Sequence, residues 1–165
     1  MTRLVALAAL CGCGYAFTAT GGALPGGASS LAVPVFENRT SEAQAGALFA
    51  DALRDALARR TRLTTSSDAS ARVEGVVSSI GGGPSALAAG SSVGAFRVEA
   101  VVELSVVEGA RVLYTDRVAG GEDYLPGVDL LGSEANRRAA LTRLARSLMA
   151  EALSRMQASG GAAPR

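Results

Sequence analysis

The chain has no histidine, no tryptophan and only two cysteines in 165 residues, Cys11 and Cys13, both near its start. Without imidazole there is no histidine general base and no histidine-ligated metal site. With no thiol in the body of the chain, a cysteine nucleophile in a folded pocket is excluded too. Aromatic residues make up 4% and the formal net charge is +1. Neither base stacking nor electrostatic capture of a polyanion is therefore expected. Serine and carboxylates remain, but without a Gly-x-Ser-x-Gly elbow, a phosphate loop or a dinucleotide fingerprint. These absences predict a non-enzymatic protein with no cofactor and no metal. The length suits one domain with a modest core.

The first twelve residues set one basic side chain, Arg3, before a short apolar run ending in small residues. That is the layout of an export signal. The run is far shorter than the roughly 20 residues that cross a bilayer. Leu10-Cys11-Gly12-Cys13 has the order of a lipobox, with an aliphatic residue three places before Cys13 and a small one just before it. Cys11 does not fit, because Leu10 would fill the position that must be small. The expectation is cleavage after residue 12 and lipidation of Cys13, with Cys11 discarded. The alternative is a buried apolar strand carrying two incidental cysteines. Acylation adds about 0.8 kcal/mol per buried methylene, so two or more chains would hold Cys13 on a membrane.

From residue 13 to 30 the chain is rich in Gly, Ala and Thr and reads as a tether. Residues 31–157 carry the periodic patterns of a domain, and 158–165 read as a frayed tail. Leu31 to Glu37 is β-branched and apolar, and Pro34 pushes this strand to an edge or a bulge because proline cannot donate a ladder hydrogen bond. Ser41 and Gln44 have capping-box spacing, which predicts a helix from Glu42 to about Arg60. Its apolar face is Ala45, Leu48, Phe49, Ala52, Leu53 and Ala56. A second strand is expected near Arg72 to Ile80, parallel to the first if both share a sheet. The Gly81-Gly82-Gly83-Pro84 run then reads as a break, and Ser85 to Gly94 as an apolar loop.

From Phe96 to Val107 the chain alternates strictly, with Phe96, Val98, Ala100, Val102, Leu104 and Val106 on one side. Arg97, Glu99, Glu103 and Ser105 fall on the other, as in an antiparallel strand with one wet face. Glu108-Gly109 makes a turn, Val112 to Val118 returns, and residues 120–132 read as an irregular connection. Ser133 is the expected cap of a last helix whose stripe is Leu141, Leu144, Ala145, Leu148 and Ala152, widened by Met149, Leu153 and Met156. The predicted fold is α+β: two helices packed on one face of a four-stranded mixed sheet, in the order β-α-β-β-β-α.

Several landmarks resemble the lipopolysaccharide-assembly lipoprotein (LptE) family. They are Cys13-Gly14-Tyr15, then Leu31-Ala32-Val33-Pro34-Val35-Phe36-Glu37-Asn38-Arg39-Thr40, and a loop-flanked central hairpin. Glu122-Asp123-Tyr124-Leu125 and Glu134-Ala135-Asn136-Arg137-Arg138-Ala139-Ala140-Leu141 complete the series, in the right order over most of the chain. The resemblance implies a lipid-anchored protein on the periplasmic face of the Gram-negative outer membrane. It implies a protein that sits inside an LptD-type β-barrel, stabilises its assembly and helps pass lipopolysaccharide to the outer leaflet. Gly14 after the lipidated cysteine, rather than Asp, fits outer-membrane sorting.

Two sets of residues are candidates for contact. Arg97, Arg137 and Arg138 could neutralise lipid A phosphates, since guanidinium forks match phosphate oxygens; the alternative is a solvated charged face. The apolar stretch from Pro84 to Val93, with Leu87 within it, could meet the barrel or an acyl chain, or be a plain surface loop. Asp123-Tyr124 lacks any accompanying base or electrophile, so Tyr124 reads as a packing anchor. A different periplasmic lipoprotein module, a cell-wall synthase activator or secretion-channel component, would share anchor and fold.

Overall fold

The computed structural model describes residues 24–28, 30–60, 69, 71–87 and 93–160. Cys13 and the expected export signal, residues 1–12, lie outside them, as do residues 61–68, 88–92 and 161–165. Two short strands, β1 (Leu31–Ala32) and β2 (Glu37–Asn38), lead into α1 (Ala45–Arg60). Three long strands follow, β3 (Ala71–Leu87), β4 (Val93–Glu108) and β5 (Arg111–Tyr124), and α2 (Leu130–Gly160) closes the domain. The sheet order is β1-β3-β4-β5, with β2 also pairing β3. Both short strands run parallel to β3, and the β3–β4 and β4–β5 pairs are antiparallel. Two helices and a mixed sheet are the α+β architecture the sequence predicts.

The expected first strand is split in two, and proline explains where. Leu31 pairs with Ala71 and Glu37 with Val76, so six steps on the edge answer five on β3. The extra residue falls around Pro34, which has no N–H to give a ladder. Arg54 on α1 ties this irregular piece down, its Nε and Nη2 donating to the Val33 carbonyl at 2.9 and 2.6 Å. The same guanidinium also pairs with Asp51.

One core fills the space between helices and sheet. Val98, Ala100, Val102, Leu104 and Val106 supply it from β4, and Phe49, Leu53 and Leu57 from α1. The predicted stripe of α2 is buried from Leu141 to Met156. Leu24 is 2% exposed and joins this core, while Pro25–Gly27 form a 3-10 turn in which Gly26 meets Leu113 at the start of β5. The packed core thus reaches back into the segment read as a tether.

Three local expectations are corrected. First, the glycine run does not break the chain: Gly81, Gly82 and Gly83 lie within β3 and pair with Glu99, Val98 and Arg97. A Cβ on Gly82 would lie 2.2 Å from the Arg97 carbonyl oxygen, so the close pairing itself requires glycine there. Pro84 and Leu87, expected in a loop that ends at Val93, are strand residues opposite Phe96 and Val93. Second, Gly120 to Tyr124 continues β5 instead of leaving the sheet, pairing back to Phe96.

Third, neither helix start uses the expected cap. Ahead of α1, Asn38 Oδ1 accepts from the Thr40 backbone N–H at 3.0 Å and from its hydroxyl at 2.7 Å, while Asn38 Nδ2 donates to the Glu42 carbonyl at 2.7 Å. This Asx-type turn, with Glu42 N–H donating to Thr40 Oγ1 at 3.2 Å, closes the chain ahead of α1 in place of the expected Ser41–Gln44 box. At α2 the cap is Asp129, whose Oδ1 accepts from Gly132 N–H at 2.7 Å. Ser133 lies inside the helix, and its hydroxyl accepts from Gly127 N–H at 2.9 Å.

Candidate functional site

α2 runs back along β5, and its polar contacts mark the register. Asn136 reaches the Leu125 carbonyl at 3.0 Å, Arg143 reaches Glu122 at 2.7 Å, and Arg155 reaches Asp116 at 3.3 Å. The first turns of α2 therefore project past the end of β5. That end also holds the far part of the β3–β4 hairpin, since Phe96 pairs with Tyr124. The Phe96 and Tyr124 rings stack with centroids 5.7 Å apart and planes 22° from parallel. A groove of about 370 Å³ opens beside them, walled by Ala95, Tyr124, Leu125 and Ala139. Asp123, Asn136 and Arg143 give it a polar rim.

Beyond the groove, the β5–α2 connection and the first turn of α2 expose four large apolar side chains. Leu125 is 66% exposed, Leu130 84% and Leu131 80%, and Val128 is fully in water. Sequence reading missed this knuckle, although apolar residues crowded around Pro126-Gly127 were the available signal. Leu130 is in phase with Leu141 on α2, eleven residues on, so helical periodicity alone would bury it. It stays exposed because the sheet ends first.

The three candidate arginines are not brought together. Arg97 sits on the sheet face away from the helices, since its neighbour Val98 is buried under them. Its Nη1 donates to both carboxylate oxygens of Asp123, at 3.1 and 3.2 Å, and Nε lies 3.6 Å from Glu99. Arg137 and Arg138 are on α2, on the other side. Arg137 is three-quarters buried and links the helices: Nε donates to Glu134 at 3.0 Å, and Nη2 bonds Glu42 ahead of α1. Hydrogen bonds to Glu134 and then Glu42 raise its pKa further above the ordinary guanidinium value. The same Arg137 contact holds the Glu134 carboxyl below its usual range. Arg138 is 73% exposed, with Glu134 at 3.5 Å. Of the apolar candidates, Pro84 is exposed in β3, and Leu87 and Val93 pair at the hairpin end.

The open face of the sheet is laced with ion pairs. Arg72 pairs with Glu74 at 2.7 Å, Arg97 with Asp123 at 3.1 Å, and Arg117 with Glu103 at 4.0 Å. On the helix side, a half-exposed network joins Tyr114, Asp116, Arg155 and Glu151. Burial first, then the hydrogen bond to Asp116, raises the Tyr114 pKa to about 12. Among the described residues no group of carboxylates is placed to hold a metal ion. None of their helices is long and apolar enough to cross a membrane.

The family model for lipopolysaccharide assembly, LptE, matches residues 28–156, nearly the whole described domain. The chain belongs to the LptE family. This family is non-enzymatic, and its members are lipoproteins of lipopolysaccharide assembly. The LptE fold is also met in solved structures. A Caulobacter crescentus CB15 protein described as a lipoprotein matches at 16% identity and TM-score 0.55, covering 79% of this chain and 94% of that one. Protein XCC0632 of Xanthomonas campestris matches at 11% identity and TM-score 0.56, covering 79% and 85%. Rare lipoprotein B of Shewanella oneidensis, at 14% identity and TM-score 0.49, covers 75% and 94%. At such identities the likeness shows the fold alone. No match was found among curated proteins.

Proposed function

We propose that the chain is an outer-membrane lipoprotein, anchored through Cys13, that scaffolds and plugs an LptD-type β-barrel and so serves lipopolysaccharide assembly. The observation that carries this reading is the LptE family match across residues 28–156. The wet sheet face supports it, because Arg72, Glu74, Arg97, Glu103, Arg117 and Asp123 suit the polar interior of a large barrel. No bond is made or broken in this role: the domain contributes surface, shape and rigidity.

Among the three arginines, Arg138 is the one whose head lies mostly in water, so it is the best placed to meet a lipid A phosphate. Arg97 and Arg137 would first have to leave the carboxylates of Asp123, Glu42 and Glu134. Depletion of the chain in its own cell tests the function. Folded barrel and surface-exposed lipopolysaccharide should both fall, and complementation with a Cys13→Ser chain should restore them poorly. Unchanged levels of both after depletion would overturn the reading.

A further inference from the structure

Among the described residues no strand pairs with β5 on the side away from β4. The β4–β5 ladder runs from Tyr114 to Tyr124 without a bulge, and a long regular edge of this kind is a template for another strand. The opposite edge of the sheet is blunted by its backbone. There β1 and β2 cover the first part of β3, and past them β3 shifts register at Val77/Ser79 and Pro84/Ala86. Bulges and proline both discourage strand addition. β5 has neither, and its protection comes from side chains.

The hydrogen bonds fix which groups of β5 point outward. The Arg117 N–H donates to Asp116 Oδ1 at 2.8 Å, and so not to β4. Outward and inward residues alternate in an antiparallel ladder, so Thr115, Ala119, Gly121 and Asp123 also turn their N–H and C=O away from β4. Two of their carbonyls are already taken. Arg97 Nη2 donates to the Gly121 carbonyl at 3.3 Å, and Arg143 Nη2 donates to the Asp123 carbonyl at 3.4 Å. Arg97 reaches this edge from β4 across the open face, and Arg143 reaches it from α2 on the other. Arg97 can cross only because residue 121 is glycine, since a Cβ there would run into its guanidinium. At the start of β5 the Pro25–Gly27 turn sets Gly26 against Leu113.

We propose that Arg97 and Arg143 guard a strand-addition edge, and that β5 of a second copy of this chain takes the edge when the guards leave. The pairing is antiparallel about a two-fold axis at Gly120. Arg117 of each copy then faces Asp123 of the other on the open side of the sheet. On the helix side Asp116 faces Tyr124 and Val118 faces Glu122, so no like charges are opposed. Moving the axis to Ala119 would lose the Arg117–Asp123 pairs and set Asp116 against Glu122. Guard and second copy compete for the same atoms. Arg97 holds the Gly121 carbonyl and, at 3.1 Å, the Asp123 carboxylate that Arg117 of the second copy would take. The isologous pair closes on itself, so association stops at two copies.

The test uses the full chain with Cys11→Ser and Cys13→Ser, which leaves no thiol and no anchor. Sedimentation velocity over a concentration series should find this guarded chain monomeric. Arg97→Ala with Arg143→Ala should double its mass at concentrations where the guarded chain is single. Gly121→Ala is the second variant and should act in the same direction, because its methyl displaces the Arg97 guanidinium while keeping the charge. Amide hydrogen exchange in the dimer should slow at Ala119, Gly121 and Asp123 and stay unchanged along β3. In the unguarded chain Arg117→Asp should abolish the dimer, and Arg117→Asp with Asp123→Arg should restore it. Monomers in both unguarded variants would overturn the proposal, as would open-ended polymers or a dimer indifferent to the charge at position 117. A guarded chain that already pairs through β5 would overturn it equally. None of these outcomes bears on the barrel role, which stands or falls separately.

Discussion

Replacing Gly75 with alanine measures how tightly the interrupted edge is locked onto β3. An alanine Cβ there would lie 2.4 to 2.6 Å from three ring carbons of Phe36. That ring is 3% exposed, and its residue is fastened to α1 by a hydrogen bond from Phe36 N–H to the Gly46 carbonyl at 3.3 Å. Ring and methyl cannot both fit, so the ring must move or β3 must bend. Overpacking of this kind costs about 1–3 kcal/mol. For a domain of this size that lowers the melting temperature by roughly 2–4 °C per kcal/mol.

A double-mutant cycle removes the ambiguity. Phe36→Ala alone should cost about 3–5 kcal/mol through the cavity it leaves. In that background Gly75→Ala meets open space and should be neutral or mildly stabilising, because alanine restricts the unfolded chain more than glycine does. The coupling energy from urea unfolding followed by circular dichroism should therefore be about 1–3 kcal/mol. Phe36→Leu serves if Phe36→Ala is too unstable to measure. An alanine at position 75 that costs the same in both backgrounds would refute the steric argument.

Two further outcomes follow from the ion pairs. Arg137→Ala leaves Glu42 and Glu134 without their shared partner and should cost about 1 kcal/mol or somewhat more, the pair with Glu42 being only about a quarter exposed. It should also flatten the acid limb of stability. The Glu134 carboxyl is held below its ordinary value by Arg137, so its contribution is present above that value and is lost as pH falls through the depressed one. At the alkaline end, Tyr114 titrates near 12 in the fold against an ordinary 10. Its contribution is full below pH 10 and lost as pH rises toward 12. Tyr114→Phe should remove that loss in urea unfolding measured across this window.

The parts of the fold legible in the sequence are those where burial is one-sided and local. Alternation from Val98 to Val106 and the stripe from Leu141 to Met156 follow directly from strand and helix periods. Pro34 announced an interrupted edge because its chemistry forbids a ladder donor. The misread segments are those whose partners are distant. Gly82 belongs to a strand because Val98 lies opposite, and Gly120 because Ala100 does. Gly-rich local sequence argues for a turn in both places. The candidate arginines were visible as charges. Their partners Asp123 and Glu42 were not, since sheet register and helix packing bring them together. Exposure of Leu130 depends on where the sheet stops, a property of the assembled domain.

The barrel partnership is tested most directly by purifying the acylated chain from its own outer membrane in mild detergent and identifying what comes with it. A large β-barrel carrying lipopolysaccharide, recovered in stoichiometric amount, is the predicted result. Recovery of a cell-wall enzyme or a secretion channel in its place, with no barrel of this kind, would contradict the account while leaving the LptE fold intact.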